Sequence, residues 1–227
     1  MLPMANRAYA SIWSRDFSGE TLIERWKAFL ETVPLSAERP GFTDLVIRAV
    51  DTAEAPIFEQ DLRSGEYGAE VLAGLAQEHA HADCSYETQA FWDLWTWNES
   101  SQRWTQEAQP LGIICYGSDF DEGIWKEQGH FFVDAGFEHL FTGHAGLLGI
   151  RHGRAEALRH PDEANFLAVM SRPENLQAYQ EKTRENIRKL YEWIARIEAS
   201  IPVERYQLWS EGEENFEARI DEILAAR

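Results

Sequence analysis

Phe91-Trp92-Asp93-Leu94-Trp95-Thr96-Trp97 is the stretch of the chain that decides the fold class. Successive side chains of a strand point to opposite faces, so Trp92 and Leu94 share one face and the remaining aromatic residues share the other. A strand that is apolar on both faces is covered on both sides or lines an aromatic groove. Residues 98–102 read as a hairpin loop and residues 103–106 as the return strand. The stretch therefore predicts a hairpin within an antiparallel sheet.

The first hundred residues predict an alternation of strands and helices. A helix after Ser18 carries its apolar residues on one face and ends before Pro34. Glycines at positions 65 and 68 precede a second, shorter helix. The order strand, helix, strand, strand, helix, strand indicates a ferredoxin-like unit. The predicted strands cover residues 9–13, 42–50 and 55–62, followed by the strand at 91–97.

The rest of the chain predicts further strands at 111–117 and 130–141, and then mainly helices. A capping-box pattern at 171–174 begins a long helix with one apolar stripe. The fold class is therefore α+β, with a mainly antiparallel sheet packed against helices that include a long C-terminal helix. We expect residues 1–227 to form a single domain, with a boundary near 101–110 or 153–162 as the alternative. The stripe consists of Leu176, Tyr179, Thr183, Ile187, Leu190, Tyr191, Ile194 and Ile197.

Composition narrows the classes of partner. The chain has 227 residues, 44% of them hydrophobic, and a formal net charge of −18. Such an acidic surface repels nucleic acid and anionic membranes. It favours a basic protein or cations as partners, or it serves solubility alone. The start of the chain has no apolar signal segment, which favours a cytoplasmic location, and Met4 is an alternative start to Met1. The oligomeric state stays open.

All seven histidines lie between His79 and His160, and the first two belong to the motif His79-Ala80-His81-Ala82-Asp83-Cys84. In an extended segment, residues at alternating positions share a face and can meet one metal ion. The motif partly resembles the His-x-His-x-Asp-His signature of metallo-β-lactamase-fold hydrolases, with Cys84 in place of the last histidine. The resemblance implies metal ligation by His79, His81 and Asp83. The alternative is a solvated helix C-terminus, where the helix dipole favours histidine.

A second polar cluster follows within fifteen residues. On a strand, His130 and Asp134 share one face, and Gly136 is suited to a bulge that brings the next residues into a loop. The cluster predicts either a divalent metal site or an acid–base pair of histidine and carboxylate. The alternative is a strand with a polar outer face and a structural loop. The candidate residues are His130, Asp134, Glu138, His139 and His144.

Four tryptophans form a candidate aromatic binding surface. Tryptophans exposed on a sheet can bind sugars, cations or a peptide, whereas buried ones pack against a helix. Trp97 and Trp104 flank the predicted hairpin loop, so we expect solvent to reach them. The candidates are Trp92, Trp95, Trp97 and Trp104.

No motif in the sequence identifies a reaction, and three hypotheses remain. The first is a non-enzymatic binding protein that neutralises a basic partner, as toxin-immunity proteins do. The second is a metal-dependent hydrolase or metal-binding protein that uses the central histidines. The third is a small-molecule binder with an aromatic-lined pocket. A divalent metal ion is the one cofactor that any of these hypotheses implies.

Overall fold

The computed structural model describes residues 6–143 and 161–226, with backbone alone for 161–165. Seven strands lie in these ranges. They are β1 (Arg7–Ser14), β2 (Asp44–Ala49), β3 (Phe58–Asp61), β4 (Cys84–Asn98), β5 (Arg103–Tyr116), β6 (Phe131–Phe137) and β7 (Val203–Ser210).

The same ranges contain seven α-helices and two short 3₁₀ helices, Gln77–His79 and Phe120–Gly123. No described helix is both long and apolar enough to cross a membrane. The α-helices are α1 (Leu22–Leu30), α2 (Ala69–Ala76), α3 (Trp125–Gln128), α4 (His139–Thr142), α5 (Pro161–Met170), α6 (Pro173–Ser200) and α7 (Phe216–Ala225).

The strands form one antiparallel sheet in the order β3-β2-β4-β5-β6-β1-β7. Its longest ladder is the hairpin of β4 and β5, which runs from Ser85 opposite Tyr116 to Asn98 opposite Arg103. The predicted α+β class, the antiparallel sheet and the long C-terminal helix are confirmed.

The ferredoxin-like unit is not confirmed. The helices and strands of the first hundred residues follow the predicted order along the chain. In a ferredoxin-like unit, however, the first strand lies in the sheet beside the other strands of the same unit. Here β1 lies between β6 and β7, whereas β2 lies between β3 and β4. The reason is that β1 finds its partners more than a hundred residues away, where Ala10 is opposite Val133 on one side and Leu208 on the other.

The helices pack on one face of the sheet around an aromatic core. Phe29 of α1 stacks on Phe131 of β6 with ring centroids 4.6 Å apart, and Trp193 of α6 lies 5.8 Å from Trp92 of β4. Burying each of these side chains stabilises the fold by roughly 2–3 kcal/mol. The opposite face of the sheet carries half-buried aromatic residues, among them Tyr9 and Trp209 with ring centroids 4.4 Å apart.

The distal half of the hairpin extends beyond its neighbouring strands. β2 pairs with Cys84–Glu87 of β4, and β6 pairs with Gly112–Cys115 of β5. Beyond the ladder with β2, the outer edge of β4 has backbone groups that need other partners. Loop and helix residues supply them: the donors are Thr43 N to Gln89 O (2.8 Å), Ser36 N to Phe91 O (2.7 Å) and Lys189 Nζ to Asp93 O (2.6 Å).

Candidate functional site

A cavity of about 350 Å³ lies between the distal hairpin, the start of α6 and the end of β6. Its size falls in the range of small-molecule pockets. Three of the four tryptophans that the sequence predicted as a binding surface line it. The described lining residues are Trp95, Thr96, Trp97, Glu99, Trp104, Glu107, Gln109, Phe137, His139, Leu140, Phe166, Tyr179, Thr183 and Asn186.

Aromatic rings form the walls of this aromatic cavity. Trp97 and Trp104 are directly opposite each other on β4 and β5, with ring centroids 5.6 Å apart and planes at 63°. Trp104 also contacts Tyr179 of α6, with centroids 5.7 Å apart and planes at 55°. Tilted and edge-on contacts of this kind are the favoured arrangement of aromatic pairs. They hold the three rings in fixed positions, so the cavity is bounded by a preorganised aromatic wall.

Asn186 fixes α6 to the hairpin at this cavity. The Trp95 N–H donates to Asn186 Oδ1 over 2.8 Å, and Asn186 Nδ2 donates to Trp95 O and to Leu140 O, each over 3.1 Å. Asn186 is 2% exposed. A buried amide that makes three hydrogen bonds is a strong orienting contact, because each lost bond leaves a buried polar group unpaired. The helix therefore sits at a defined distance from Trp95.

A lysine of α6 lies over another tryptophan of the same region. Lys182 Nζ lies 3.6 Å from the centre of the Trp95 ring and donates to Glu185 Oε1 over 2.9 Å. An ammonium group over an indole face is attracted by the negative charge density of the ring. Lys182 is not among the described residues that line the cavity.

Glu107 places a negative charge in the cavity wall. Its Oε1 accepts hydrogen bonds from Asn98 Nδ2 over 3.2 Å and from Thr105 Oγ1 over 2.9 Å. These donors favour the ionised carboxylate, and hydrogen bonding led by Asn98 lowers the pKa of Glu107 from its ordinary value. The carboxylate is therefore charged throughout the physiological pH range.

A larger groove of about 880 Å³ lies beside β2 and β3, and both an ion pair and a cation–π contact are already formed among its lining residues. Arg63 Nη2 lies 2.5 Å from Asp61 Oδ2, and the Arg39 guanidinium stacks over the Phe91 ring at 4.6 Å. None of the four candidate tryptophans and none of the candidate polar residues lines this groove. We therefore take the aromatic cavity as the candidate site.

The first histidine motif is not extended. His79 ends a 3₁₀ helix, and a turn at 82–83 precedes β4, so the strand geometry on which the metal hypothesis depended is not present. The backbone of this segment instead holds Tyr86: the Tyr86 hydroxyl donates to His79 O over 2.7 Å and accepts from His81 N over 3.2 Å. His81 and Asp83 are exposed.

His130 has a packing position. Its ring lies between those of Phe17 and Trp125, with centroids 4.3 Å and 4.4 Å away, and it is 4% exposed. Its Nδ1 accepts a hydrogen bond from Ser14 N over 3.0 Å. Burial penalises the charged imidazolium and lowers the pKa of His130 to about 4. One ring nitrogen is thus occupied, and the ring is neutral at physiological pH.

The other members of the second cluster lie in separate places. Asp134 pairs with Arg7, whose Nε lies 2.6 Å from Asp134 Oδ2, while Glu138 Oε2 accepts from Gly212 N over 2.9 Å. His139 lines the aromatic cavity, and His144 lies outside the described residues. Within 6–143 and 161–226, no group of three or more His, Cys, Asp or Glu side chains is placed to hold a metal ion.

The sequence predicted three of the six tryptophan, tyrosine and phenylalanine residues in the described lining. Trp95, Trp97 and Trp104 line the cavity, but Trp92 is fully buried against Trp193 and Phe141. The residues contributed by α6 were missed, because Tyr179 and Thr183 belonged to the predicted apolar stripe. Two polar residues three apart, Thr183 within that stripe and Asn186 beside it, were the signal that could have located them.

Comparison of this chain with protein-family models, with curated proteins and with solved structures finds no match. The chemistry of the aromatic cavity is therefore the basis on which a function can be proposed.

Proposed function

We propose that this protein is a non-enzymatic binding protein that takes a small molecule into the aromatic cavity. The observation that carries the proposal is the wall of Trp97, Trp104 and Tyr179, with ring centroids 5.6 and 5.7 Å apart, around a volume of about 350 Å³. Pockets for small ligands combine apolar and aromatic walls with a few placed polar groups. Here Glu107, Thr183 and Asn186 are among the polar groups of the lining.

The metal-dependent hydrolase receives less support. The first histidine motif lies in a helix end and turn, and the members of the second point to different parts of the molecule. His130 uses one ring nitrogen for the Ser14 N–H, which leaves a single nitrogen for any ligand. Neither cluster supplies three converging donors among the described residues.

Neutralisation of a basic partner protein is the second candidate, because the net charge of −18 attracts basic proteins. Association driven by that charge is fast and weakens as salt rises, because salt screens surface charges. Recovery of a basic partner from a native extract at low salt supports this candidate. We also propose a cytoplasmic location, which is supported by the two unpaired cysteines, Cys84 and Cys115.

Ligand-observed NMR with benzyl alcohol tests the cavity proposal, since this probe is uncharged and fits an aromatic pocket. We expect saturation transfer from the protein to the probe, and a tenfold or greater loss of affinity in Trp104→Leu. Trp209→Phe, which alters a separate aromatic contact with Tyr9 between β1 and β7, is the control and keeps the affinity. Equal binding by wild type and Trp104→Leu, at equal far-UV circular dichroism, contradicts the proposal.

A further inference from the structure

We infer that the aromatic cavity selects ligands that carry an alkylammonium group, placed against the indole and phenol rings and paired with Glu107. This inference rests on the proposed binding function and specifies the chemistry of its ligand. Three independent observations support it: the charges of the lining, the environment of Glu107, and the cation that already lies over Trp95.

The described part of the lining has one sign of fixed charge. Glu99 and Glu107 are acidic, and no described lining residue is lysine or arginine. His139 is the one histidine among the described lining residues. A carboxylate ligand brought beside Glu107 would meet like charge in a partly desolvated site, whereas a cation would meet opposite charge. The cavity therefore discriminates by charge as well as by shape.

Glu107 is placed to keep its charge when a ligand displaces water. Its Oε1 accepts from Asn98 and Thr105, which hold the carboxylate in one orientation. A carboxylate that lacked such donors would tend to take up a proton as its surroundings became less polar. The donors lie on the same hairpin as Trp97 and Trp104, and the register places Glu107, opposite Leu94, on one face of the ribbon and the Trp97–Trp104 pair on the other, so the cavity is lined from both faces of one hairpin.

The region already shows the interaction that we assign to the ligand. Lys182 Nζ lies 3.6 Å from the centre of the Trp95 ring, which is the geometry of a cation–π contact. The ammonium group of Lys182 also donates a hydrogen bond to Glu185 of the same helix, and this ion pair keeps the group on α6. Trp97, Trp104 and Tyr179 form the wall beside it, and the rings of Trp97 and Trp104 are tilted at 63° to each other, as two sides of a cage would be.

An alkylammonium group has two sources, a free quaternary ammonium compound and the lysine side chain of a basic protein. Both share the cation, and the net charge of −18 raises the local concentration of either. They differ in the hydration of the nitrogen, because a quaternary ammonium has no N–H and desolvates more easily. Choline and Nα-acetyl-lysine-methylamide represent the two sources, and the tighter of the two identifies the source.

Isothermal titration calorimetry with choline and 3,3-dimethylbutan-1-ol tests the inference, because the two compounds have the same shape and differ in charge. We expect choline to bind about tenfold more tightly than the alcohol. In Glu107→Gln, choline affinity falls about fivefold or more while alcohol affinity stays within twofold. Glu198→Gln, an exposed change of the same charge on the far end of α6, leaves both affinities within twofold.

The outcomes separate the two proposals. Equal affinity for choline and the alcohol, or an unchanged choline affinity in Glu107→Gln, overturns the charge selectivity and leaves the cavity as a neutral binding site. If neither choline nor Nα-acetyl-lysine-methylamide binds while benzyl alcohol still binds, the inference is overturned and the proposed function is not. Failure of all the probes overturns the proposed function together with the inference.

Discussion

Replacing Asn186 by leucine should remove the hydrogen bonds that hold α6 to the distal hairpin, while the side-chain volume stays similar. Asn186 is 2% exposed and makes three hydrogen bonds to backbone atoms of Trp95 and Leu140. Leucine has similar size and higher helix propensity, so neither a large cavity nor a weaker helix accompanies the change. The predicted loss is therefore due to the hydrogen bonds.

The magnitude follows from the number of bonds. Each intramolecular hydrogen bond contributes about 1 kcal/mol, and a buried donor that loses its partner costs roughly 1–3 kcal/mol. The Trp95 N–H loses its acceptor, and the carbonyls of Trp95 and Leu140 each lose the Asn186 amide donor. We expect the free energy of unfolding to fall by about 4 kcal/mol, which for a chain of this size lowers Tm by roughly 10 °C.

Urea denaturation followed by far-UV circular dichroism measures this change, with Gln177→Leu, at an exposed position of the same helix, as the control. The control should change the free energy of unfolding by less than about 0.5 kcal/mol. A loss below about 1 kcal/mol in Asn186→Leu, at an unchanged m value, would refute the argument that these bonds hold the helix to the strand edge.

Three further predictions use backbone geometry, pH and thiol chemistry. Gly129 has φ of +87°, and a Cβ there would lie 2.6 Å from Ile12 N, so Gly129→Ala should lower the free energy of unfolding in urea by about 2 kcal/mol or more. Gly74→Ala is the control: a Cβ there meets nothing within 4 Å, so the change should stabilise helix α2 by roughly 0.5–1 kcal/mol. Burial lowers the pKa of His130 to about 4, whereas the unfolded chain has a value of about 6.5, so the unfolded state binds the proton first as pH falls. The free energy of unfolding should therefore decrease between pH 6.5 and pH 4, by at most about 3 kcal/mol. In His130→Asn, whose Oδ1 can accept from Ser14 N, thermal melts should show a weaker pH dependence, and an unchanged dependence would assign the effect to other groups. Burial raises the pKa of Cys84 to about 11 and that of Cys115 well above its ordinary value, so folded protein should react with Ellman's reagent far more slowly than protein in urea; rapid labelling of both thiols before unfolding would contradict the burial of these side chains.

The hairpin could be predicted from the sequence because its signals are local. Residues 91–97 and the return strand are joined by a short loop, and each strand is rich in aromatic and β-branched residues. The order of the sheet could not be predicted, since β1 pairs with β6 and β7, whose residues are far away in the chain. Nothing in the pattern of β1 indicates which distant strand it meets.

Pro110 explains a second difference. The sequence predicted separate strands at 103–106 and 111–117, but β5 runs unbroken from Arg103 to Tyr116. The Phe91 carbonyl accepts from Ser36 N, so it points away from β5, and Phe91 with Pro110 is a non-hydrogen-bonded pair. The nitrogen of Pro110 therefore points to the other edge of β5, where the ladder with β6 covers Gly112–Cys115 and no bond is lost.

The candidate site was predictable to the extent that it lies on one strand pair. Trp95, Trp97 and Trp104 were found because aromatic residues on a hairpin are visible in the sequence. The wall from α6 depends on how the helix docks, which an apolar stripe does not determine. The convergence of the histidines could not be predicted, because closeness in sequence does not make side chains meet: His130 is packed between two rings and His139 lines the cavity.

The position of the cavity follows from the unequal lengths of the ladders. The hairpin extends past the ladders that β2 and β6 make with it, so its distal part needs partners other than strands for its backbone and for its aromatic side chains. Helix α6 provides both through Asn186 and Tyr179. A straight helix laid across a twisted ribbon cannot fill the whole space between them, and at this crossing the unfilled space is lined by tryptophan. The contacts that protect the strand edge thus also set the distance between the cavity walls, so stability and the proposed binding depend on the same residues.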